Sequence, residues 1–218
     1  MTYLNIMNNV LRRLREEEVN SVNDSTYSKM VGDFINDAKT IVEQAADWSA
    51  LRETIIKTTE VQTGSEELTL TGSGDDVKVL SVINDTQNCF MEYQTKDWFN
   101  ERRYVSTETS GAPKYYTFNG IASASGDTKV LVSPKPDGAY DLRFDVIKRQ
   151  ADLSLDGDEL LIPEKPVIHL AVALLARERG ETGGTSTAEY FVIADKYLSD
   201  AIAIDAAKHP EEMIFRTI

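Results

Sequence analysis

Both ends of the chain have apolar residues at the spacing that is typical of amphipathic helices. Four apolar residues recur at this spacing in the first predicted helix: Leu4, Met7, Leu11 and Leu14. A second helix is predicted after the cap-forming run 23–25, and its apolar residues from Tyr27 to Trp48 alternate in steps of four and three. This spacing favours the packing of nearly antiparallel helices.

Two further helices are predicted near the C-terminal end. Pro163 or Pro166 is suited to the first turn of a third helix, and residues 167–176 are apolar on every side. A helix of this kind is expected at the centre of a bundle. Ser186 and Glu189 have the spacing of a capping box and predict the start of a fourth helix.

The middle of the chain changes to a period of two, which indicates β-strands separated by turn residues. Strands are expected near residues 54–61, 67–71, 77–84, 88–93, 114–119, 129–133 and 140–148. Thr95 has the side chain of a helix cap, so one short helix is predicted over residues 95–104.

This order of elements predicts an α+β fold. The N- and C-terminal helices are expected to form a four-helix bundle, into which a mostly antiparallel β domain is inserted. The expected boundaries are residues 1–50 and 160–209 for the bundle, 51–159 for the β domain and 210–218 for a C-terminal docking tail.

The chain of 218 residues is acidic, with a formal net charge of −13. This charge argues against a surface that grips nucleic acid, because that affinity depends on clustered Lys and Arg. An acidic wall would instead suit a channel through which DNA slides, although solubility is the simpler explanation. The single cysteine, Cys89, and the absence of a long apolar run predict a soluble protein that is made in the cytoplasm and has no membrane contact.

Candidate metal sites fail on ligand spacing. Residues 152–159 imitate the first half of an EF-hand loop, but Pro163 stands where the loop needs its bidentate Glu. His169 and His209 are forty residues apart and have no neighbouring ligand at metal-binding spacing. We therefore expect no metal and no cofactor.

Candidate catalytic residues are also weak, so we expect that the protein is not an enzyme. No nucleophile elbow, Walker loop or dinucleotide fingerprint occurs in the sequence. The carboxylates most open to an acid–base role are Glu92, Asp97, Glu101 and Asp145, but no cluster of aromatic and acidic residues marks a sugar cleft. A glycan-binding or hydrolase domain stays as an alternative.

Three segments resemble the neck proteins of tailed bacteriophages: residues 111–117 (GAPKYYT), 130–140 (VLVSPKPDGAY) and 161–164 (LIPE), in that order. The chain is similar to head-to-tail adaptors of the tail tubular protein A type, found chiefly in short-tailed phages. The resemblance implies a virion protein of the neck, made in the host cytoplasm. Another tail or baseplate component is the alternative within the virion.

The resemblance also implies the partners. A homo-oligomeric ring of about twelve copies would dock under the portal protein and receive the tail nozzle or tube below. Genomic DNA would pass through the prolonged channel without sequence-specific binding.

Two groups of residues are the candidate partner interface. Beyond Pro210 the tail carries four large apolar residues, which are expected to dock on the chain's own bundle, a neighbour or a partner: Met213, Ile214, Phe215 and Ile218. Three arginines near the end of the first helix form either a solvated face or salt bridges between ring neighbours: Arg12, Arg13 and Arg15.

Overall fold

The computed structural model describes residues 1–60, 67–106, 110–180 and 186–208. The chain divides into a helical unit, Met1–Leu51 with Gln150–Ile218, and a sheet unit, Arg52–Arg149. Within the described ranges it contains five α-helices and two mostly antiparallel sheets, which confirms the predicted α+β class.

The α-helices are α1 (Tyr3–Arg13), α2 (Thr26–Ala45), α3 (Lys96–Asn100), α4 (Glu164–Glu178) and α5 (Ser186–Ala206). The predicted cap of α2 is present as a capping box. Ser25 Oγ accepts the N–H of Ser28 at 3.0 Å, and Ser28 Oγ accepts the N–H of Ser25 at 2.9 Å. The side chain of Ser186 lies outside the described residues, so the capping box of α5 stays a prediction.

The short helix that the sequence predicts over residues 95–104 is confirmed as α3 and the π-helical turn that follows it, Glu101–Val105. The hydroxyl of Thr95 accepts the N–H of Trp98 at 3.3 Å and so caps the helix. The ring of Trp98 also packs on the ring of Tyr115, with centroids 4.9 Å apart.

The strands are β1 (Arg52–Thr58), β2 (Glu67–Thr69), β3 (Val77–Asn84), β4 (Cys89–Phe90), β5 (Glu92–Tyr93), β6 (Tyr115–Ile121), β7 (Thr128–Ser133) and β8 (Asp141–Lys148). One sheet has the order β1-β8-β3-β4 and the other β2-β7-β6-β5. Neighbouring strands are antiparallel except for β5 and β6. Each predicted strand region therefore contains a strand, but the region 88–93 divides between the two sheets.

This division occurs at Met91, which points into the core between the two sheets. The same core takes every second residue of β8, namely Leu142, Phe144 and Val146. Such alternation buries one face of a strand and leaves the polar residues on the other face, as the period of two in the sequence predicts.

Helix α4 contacts the other three long helices, α1, α2 and α5. Its residues are buried around most of the circumference, among them Val167, Ala171 and Leu175, each with no exposed surface. The apolar run 167–176 therefore predicts a central helix correctly. Despite this apolar character, none of the described helices is long and apolar enough to cross a membrane.

Close packing of α1 on α2 depends on Gly32. A Cβ atom at this position would collide with the hydroxyl of Tyr3, which lies against the helix backbone there. Burial, with smaller contributions from Asp33, Asp152 and Asp158, raises the pKa of Tyr3 to about 12. Tyr3 is therefore a neutral packing residue at any physiological pH.

The acidic run 152–159 is a structural segment of the helical unit that packs beside the start of α1. The N–H of Tyr3 donates to the carbonyl of Asp158 at 2.8 Å, and the N–H of Leu4 donates to the carbonyl of Asp156 at 3.2 Å. Because Thr2 provides no side-chain cap, these carbonyls satisfy first-turn donors of α1 that would otherwise be unpaired. The carboxylate of Asp156 also accepts the N–H of Val22 at 2.8 Å.

A buried lysine fixes the beginning of the same segment. The Lys39 ammonium on α2 donates to the carbonyl of Gln150 at 2.6 Å, and it lies 3.5 Å from a carboxylate oxygen of Glu43 and 3.8 Å from one of Asp152. The side chains of Lys39 and Glu43 are each only 1% exposed. A charge buried this deeply is costly unless it is paired and hydrogen-bonded, so Lys39 holds Gln150 at one position.

We predict that Lys39→Met lowers the free energy of unfolding of the helical unit by about 3 kcal/mol, because the Glu43 carboxylate would remain buried after losing the ammonium beside it. Urea unfolding followed by far-ultraviolet circular dichroism measures the change. The double variant Lys39→Met with Glu43→Leu removes both charges and should recover most of the loss. A single variant as stable as the parent would contradict this role of Lys39.

Candidate functional site

The acidity of the chain is concentrated in the helical unit. By sequence, this unit has 11 Lys and Arg against 21 Asp and Glu, a formal charge of −10, whereas the sheet unit has 12 against 15, a charge of −3. The two values add to the chain's −13. Copies that meet through their helical units would therefore repel each other unless apolar contacts or local pairs of opposite charge offset the repulsion.

The three predicted interface arginines lie together where α1 ends. Arg12 pairs with Glu18 at 2.8 Å, but both side chains are about half exposed, so the pair contributes little to stability. Arg13 and Arg15 are exposed and have no ion-pair partner within the part of the chain that the structure describes. These two guanidinium groups are open to a partner, and their role in an interface stays a prediction.

Arg15 ends α1 in an unusual backbone conformation. Its φ is 59°, in the left-handed region, and its N–H donates to the carbonyl of Arg12 at 3.1 Å. The N–H of Glu16 donates to the carbonyl of Leu11 at 3.0 Å, which completes a Schellman motif. This motif normally has glycine at the position that Arg15 occupies.

The other predicted interface residues lie outside the described ones. Met213, Ile214, Phe215 and Ile218 follow residue 208, the last that the structure describes, and their part in an interface also stays a prediction. His209 lies outside it as well.

Helix α5, which precedes this tail, exposes a stripe of large apolar side chains. Ile193, Tyr197 and Ile204 are spaced so that they share one face of the helix, and they are 41%, 36% and 69% exposed. Tyr197 and Ile204 also line a groove of about 250 Å³ between α5 and the start of α4. An apolar face of this kind on an acidic helical unit is typical of an interaction surface.

The ring of Tyr197 stacks on the ring of His169, which belongs to α4. The two rings are stacked with centroids 4.4 Å apart and an interplanar angle of 16°. Burial, followed by the nearby cations Arg13 and Lys165, lowers the pKa of His169 below its ordinary value. His169 is thus a neutral, half-buried packing residue at physiological pH.

The carboxylate of Asp205 on α5 binds Ser49, which lies shortly before Arg52, the first residue of the sheet unit. This carboxylate accepts the N–H of Ser49 at 2.7 Å, the Ser49 hydroxyl at 2.6 Å and the Lys208 ammonium at 2.9 Å. Partial burial acts to raise the pKa of Asp205, but the hydrogen bonds from Ser49 and Lys208 together hold it below the usual value.

The carboxylates considered for catalysis lie on several different elements of the sheet unit. Asp145 on β8 accepts hydroxyl hydrogen bonds from Thr54 at 2.8 Å and from Ser81 at 2.9 Å within one sheet, while Glu92 belongs to the other sheet. Asp97 and Glu101 lie in α3 and the turn after it. Among the described residues, no group of three His, Cys, Asp or Glu side chains could hold a metal ion.

Comparison with known protein families gives a match that covers nearly the whole chain. The family model for SU10 adaptor protein matches residues 1–211. The chain belongs to the SU10 adaptor protein family. No curated protein matches it.

The SU10 adaptor family is one of structural phage adaptors, so the match confirms the resemblance to phage head-to-tail adaptors. Membership implies a place in the virion neck and interaction with portal and tail components. In this SU10 adaptor the arginine end of α1 and the apolar stripe of α5 are two exposed surfaces of the helical unit. The sequence indicates the first of these surfaces.

The groove beside α5 and the Asp205–Ser49 anchor were not predicted. Both bring together residues more than thirty positions apart, and no local pattern encodes such contacts. The sequence signal that could have found the groove is the spacing of Tyr197, Ala201 and Ile204 in steps of four and three.

We predict that Arg15→Gly raises the free energy of unfolding by about 0.5 to 1 kcal/mol, because glycine adopts the left-handed conformation without steric cost. The matched change Arg13→Gly, at the last residue of α1, should lower it by up to about 1 kcal/mol, because glycine is a weaker helix former. Thermal unfolding of both variants measures the difference. The Schellman assignment would be wrong if the two variants lost stability equally.

We predict that Asp205→Asn destabilises the helical unit at pH 7 by about 1 to 2 kcal/mol, because hydrogen bonds to a charged group are lost. A carboxyl whose folded-state pKa is lowered contributes fully above about pH 5, and the contribution is lost as the pH falls through the folded-state pKa. The difference from the parent should therefore shrink below about pH 4, as followed by urea unfolding across pH.

The control for this pH series is Asp200→Asn, which changes an exposed carboxylate on the same helix. Its effect should stay within about 0.5 kcal/mol at every pH. A loss in Asp205→Asn that did not depend on pH would show that the carboxylate charge is not what holds Ser49.

Proposed function

We propose that this chain is a ring-forming head-to-tail adaptor that joins the portal to the tail and prolongs the DNA channel. The observation that carries the proposal is the family match over residues 1–211. Within the family the proposed type is the tail tubular protein A-like adaptor of short-tailed phages, in a ring of about twelve copies. Another tail or baseplate component is the alternative.

In this proposal the four long helices act as a four-helix bundle and the sheet unit as a domain inserted into it. The bundle would take residues 1–50 and 160–209, the inserted domain residues 51–159 and the docking tail residues 210–218. Contacts of α4 with α1, α2 and α5 support the bundle.

The charge of the chain supports passage of DNA rather than capture of it. Acidic residues outnumber Lys and Arg by 36 to 23. A wall with this balance repels phosphates and provides few counter-charges to hold them, so genomic DNA would slide through the ring without sequence-specific binding.

Adaptor function requires interfaces and no catalytic group, so we propose no enzymatic activity. A ring closes when each copy presents two different faces to its neighbours, and repetition around the ring makes weak contacts effective. The exposed Arg13 and Arg15 would pair with carboxylates of a neighbouring copy. The apolar tail residues 213–215 and 218 would attach the ring to the portal.

We predict that native mass spectrometry of the chain, mixed with the portal protein encoded near it, detects about twelve copies bound to one portal ring.

A variant that lacks residues 211–218 should bind the portal at least about tenfold more weakly, because apolar anchors dominate such interfaces. The double variant Arg13→Ala with Arg15→Ala should weaken contacts between copies while the tail still contacts the portal.

The outcomes separate the parts of this proposal. A monomer that ignores the portal would contradict the adaptor function, and a different copy number on another virion protein would favour a tail or baseplate component. Unchanged portal binding after deletion of residues 211–218 would contradict only the role of the tail.

A further inference from the structure

The groove beside α5 has an apolar floor and a charged rim. Its apolar lining comes from the start of α4 and the C-terminal half of α5: Pro163, Pro166, Tyr197, Ala201 and Ile204. Ile204 is 69% exposed, so the groove is open to solvent along α5. An open apolar groove next to an acidic surface favours an occupant with apolar side chains.

The rim of the groove carries charges of both signs. Lys208 and Lys165 lie on it together with Asp200 and Asp205. Asp205 is engaged by Ser49 and Lys208, whereas Asp200 is exposed on the same helix. Because Lys208 is already paired with Asp205, an occupant that matches this rim needs negative charge near Lys165 and positive charge near Asp200.

Residues 211–218 have this order of charges in their sequence, Glu-Glu-Met-Ile-Phe-Arg-Thr-Ile. Two carboxylates come first, three large apolar side chains follow, and Arg216 comes after them. If the segment ran antiparallel to α5, Glu211 and Glu212 would be available to pair with Lys165. The apolar residues would then lie over the floor, with Arg216 towards Asp200.

The segment can reach the groove of its own copy. It follows Lys208, which itself lines the groove, after only His209 and Pro210. From Lys208 back to Tyr197 the helix spans about 17 Å. If His209 and Pro210 make the turn, the five extended steps from Glu211 to Arg216 cover about the same distance, and Met213 lies about 7 Å along, at the level of Ile204. A segment tethered this close has an effective concentration on the order of millimolar, which favours its own groove over that of a second copy.

We infer that in the unassembled protein residues 211–218 fold back and occupy the groove of the same copy. In the register set by these distances, Met213 lies beside Ile204 and Phe215 approaches Tyr197. The groove then shields the apolar side chains of Met213 and Phe215 from water. A partner that binds residues 211–218 must first displace this segment from the groove. This inference does not depend on what that partner is.

Disulfide trapping tests the arrangement in the purified full chain without portal protein. With Cys89 changed to Ser, the pair Ile204→Cys and Met213→Cys should form an intramolecular disulfide under mild oxidation, because their Cα atoms would lie within bonding range. Nonreducing electrophoresis and peptide mass spectrometry identify the bond. Ile204 is largely exposed, so its replacement should leave the fold intact.

The matched control replaces Ala203 instead of Ile204. Ala203 is exposed and adjacent in sequence, but it lies about 100° around the helix and outside the groove lining. The pair Ile204→Cys with Met213→Cys should be oxidised at least about fivefold faster than this control pair. Adding Tyr197→Glu, which removes the aromatic contact for Phe215, should abolish this difference in rate.

Equal rates for the two pairs, or no disulfide in either, would overturn the inference. A bond between two copies would overturn it as well and would assign the groove to a neighbour's segment. Because no portal protein is present, none of these results bears on the adaptor proposal, which is tested separately by portal binding.

Discussion

Burial of α4 around most of its circumference is the constraint on which the helical unit depends. A helix that is apolar on every side exposes hydrophobic surface unless other elements cover it from several directions, and α1, α2 and α5 provide that cover. The unit must therefore place its many charged groups outside this core. The few that are buried, such as Lys39 and Glu43, are held beside each other on α2.

The acidic segment before α4 shows how a charge-rich sequence can be structural. In residues 152–159, backbone carbonyls satisfy the first turn of α1, and carboxylates accept backbone donors of nearby loops. Asp158, for example, accepts the N–H groups of Ser154 and Leu155 at 2.7 and 2.8 Å, and these bonds lower its pKa. These residues, whose spacing imitates a calcium loop, thus stabilise the fold through hydrogen bonds to the backbone.

Local features of the fold were predictable because they depend on residues close in sequence. The capping box at Ser25, the cap at Thr95 and the central position of α4 each follow from a pattern shorter than about twenty residues. The division of residues 88–93 at Met91 was missed because an alternating strand pattern does not say which sheet each half joins. Contacts such as Asp205 with Ser49, separated by 156 positions, have no local signature.

The pairing of β1 with β8 has a consequence for how such a protein can change over time. Arg52 and Ile147 are directly paired across these strands, so the chain enters and leaves the sheet unit at neighbouring positions. A module whose two ends are adjacent can be lengthened, exchanged or lost while the rest of the chain needs only a short turn to reconnect. The sheet unit can in this sense be exchanged as a module, because both of its ends lie on one pair of neighbouring strands.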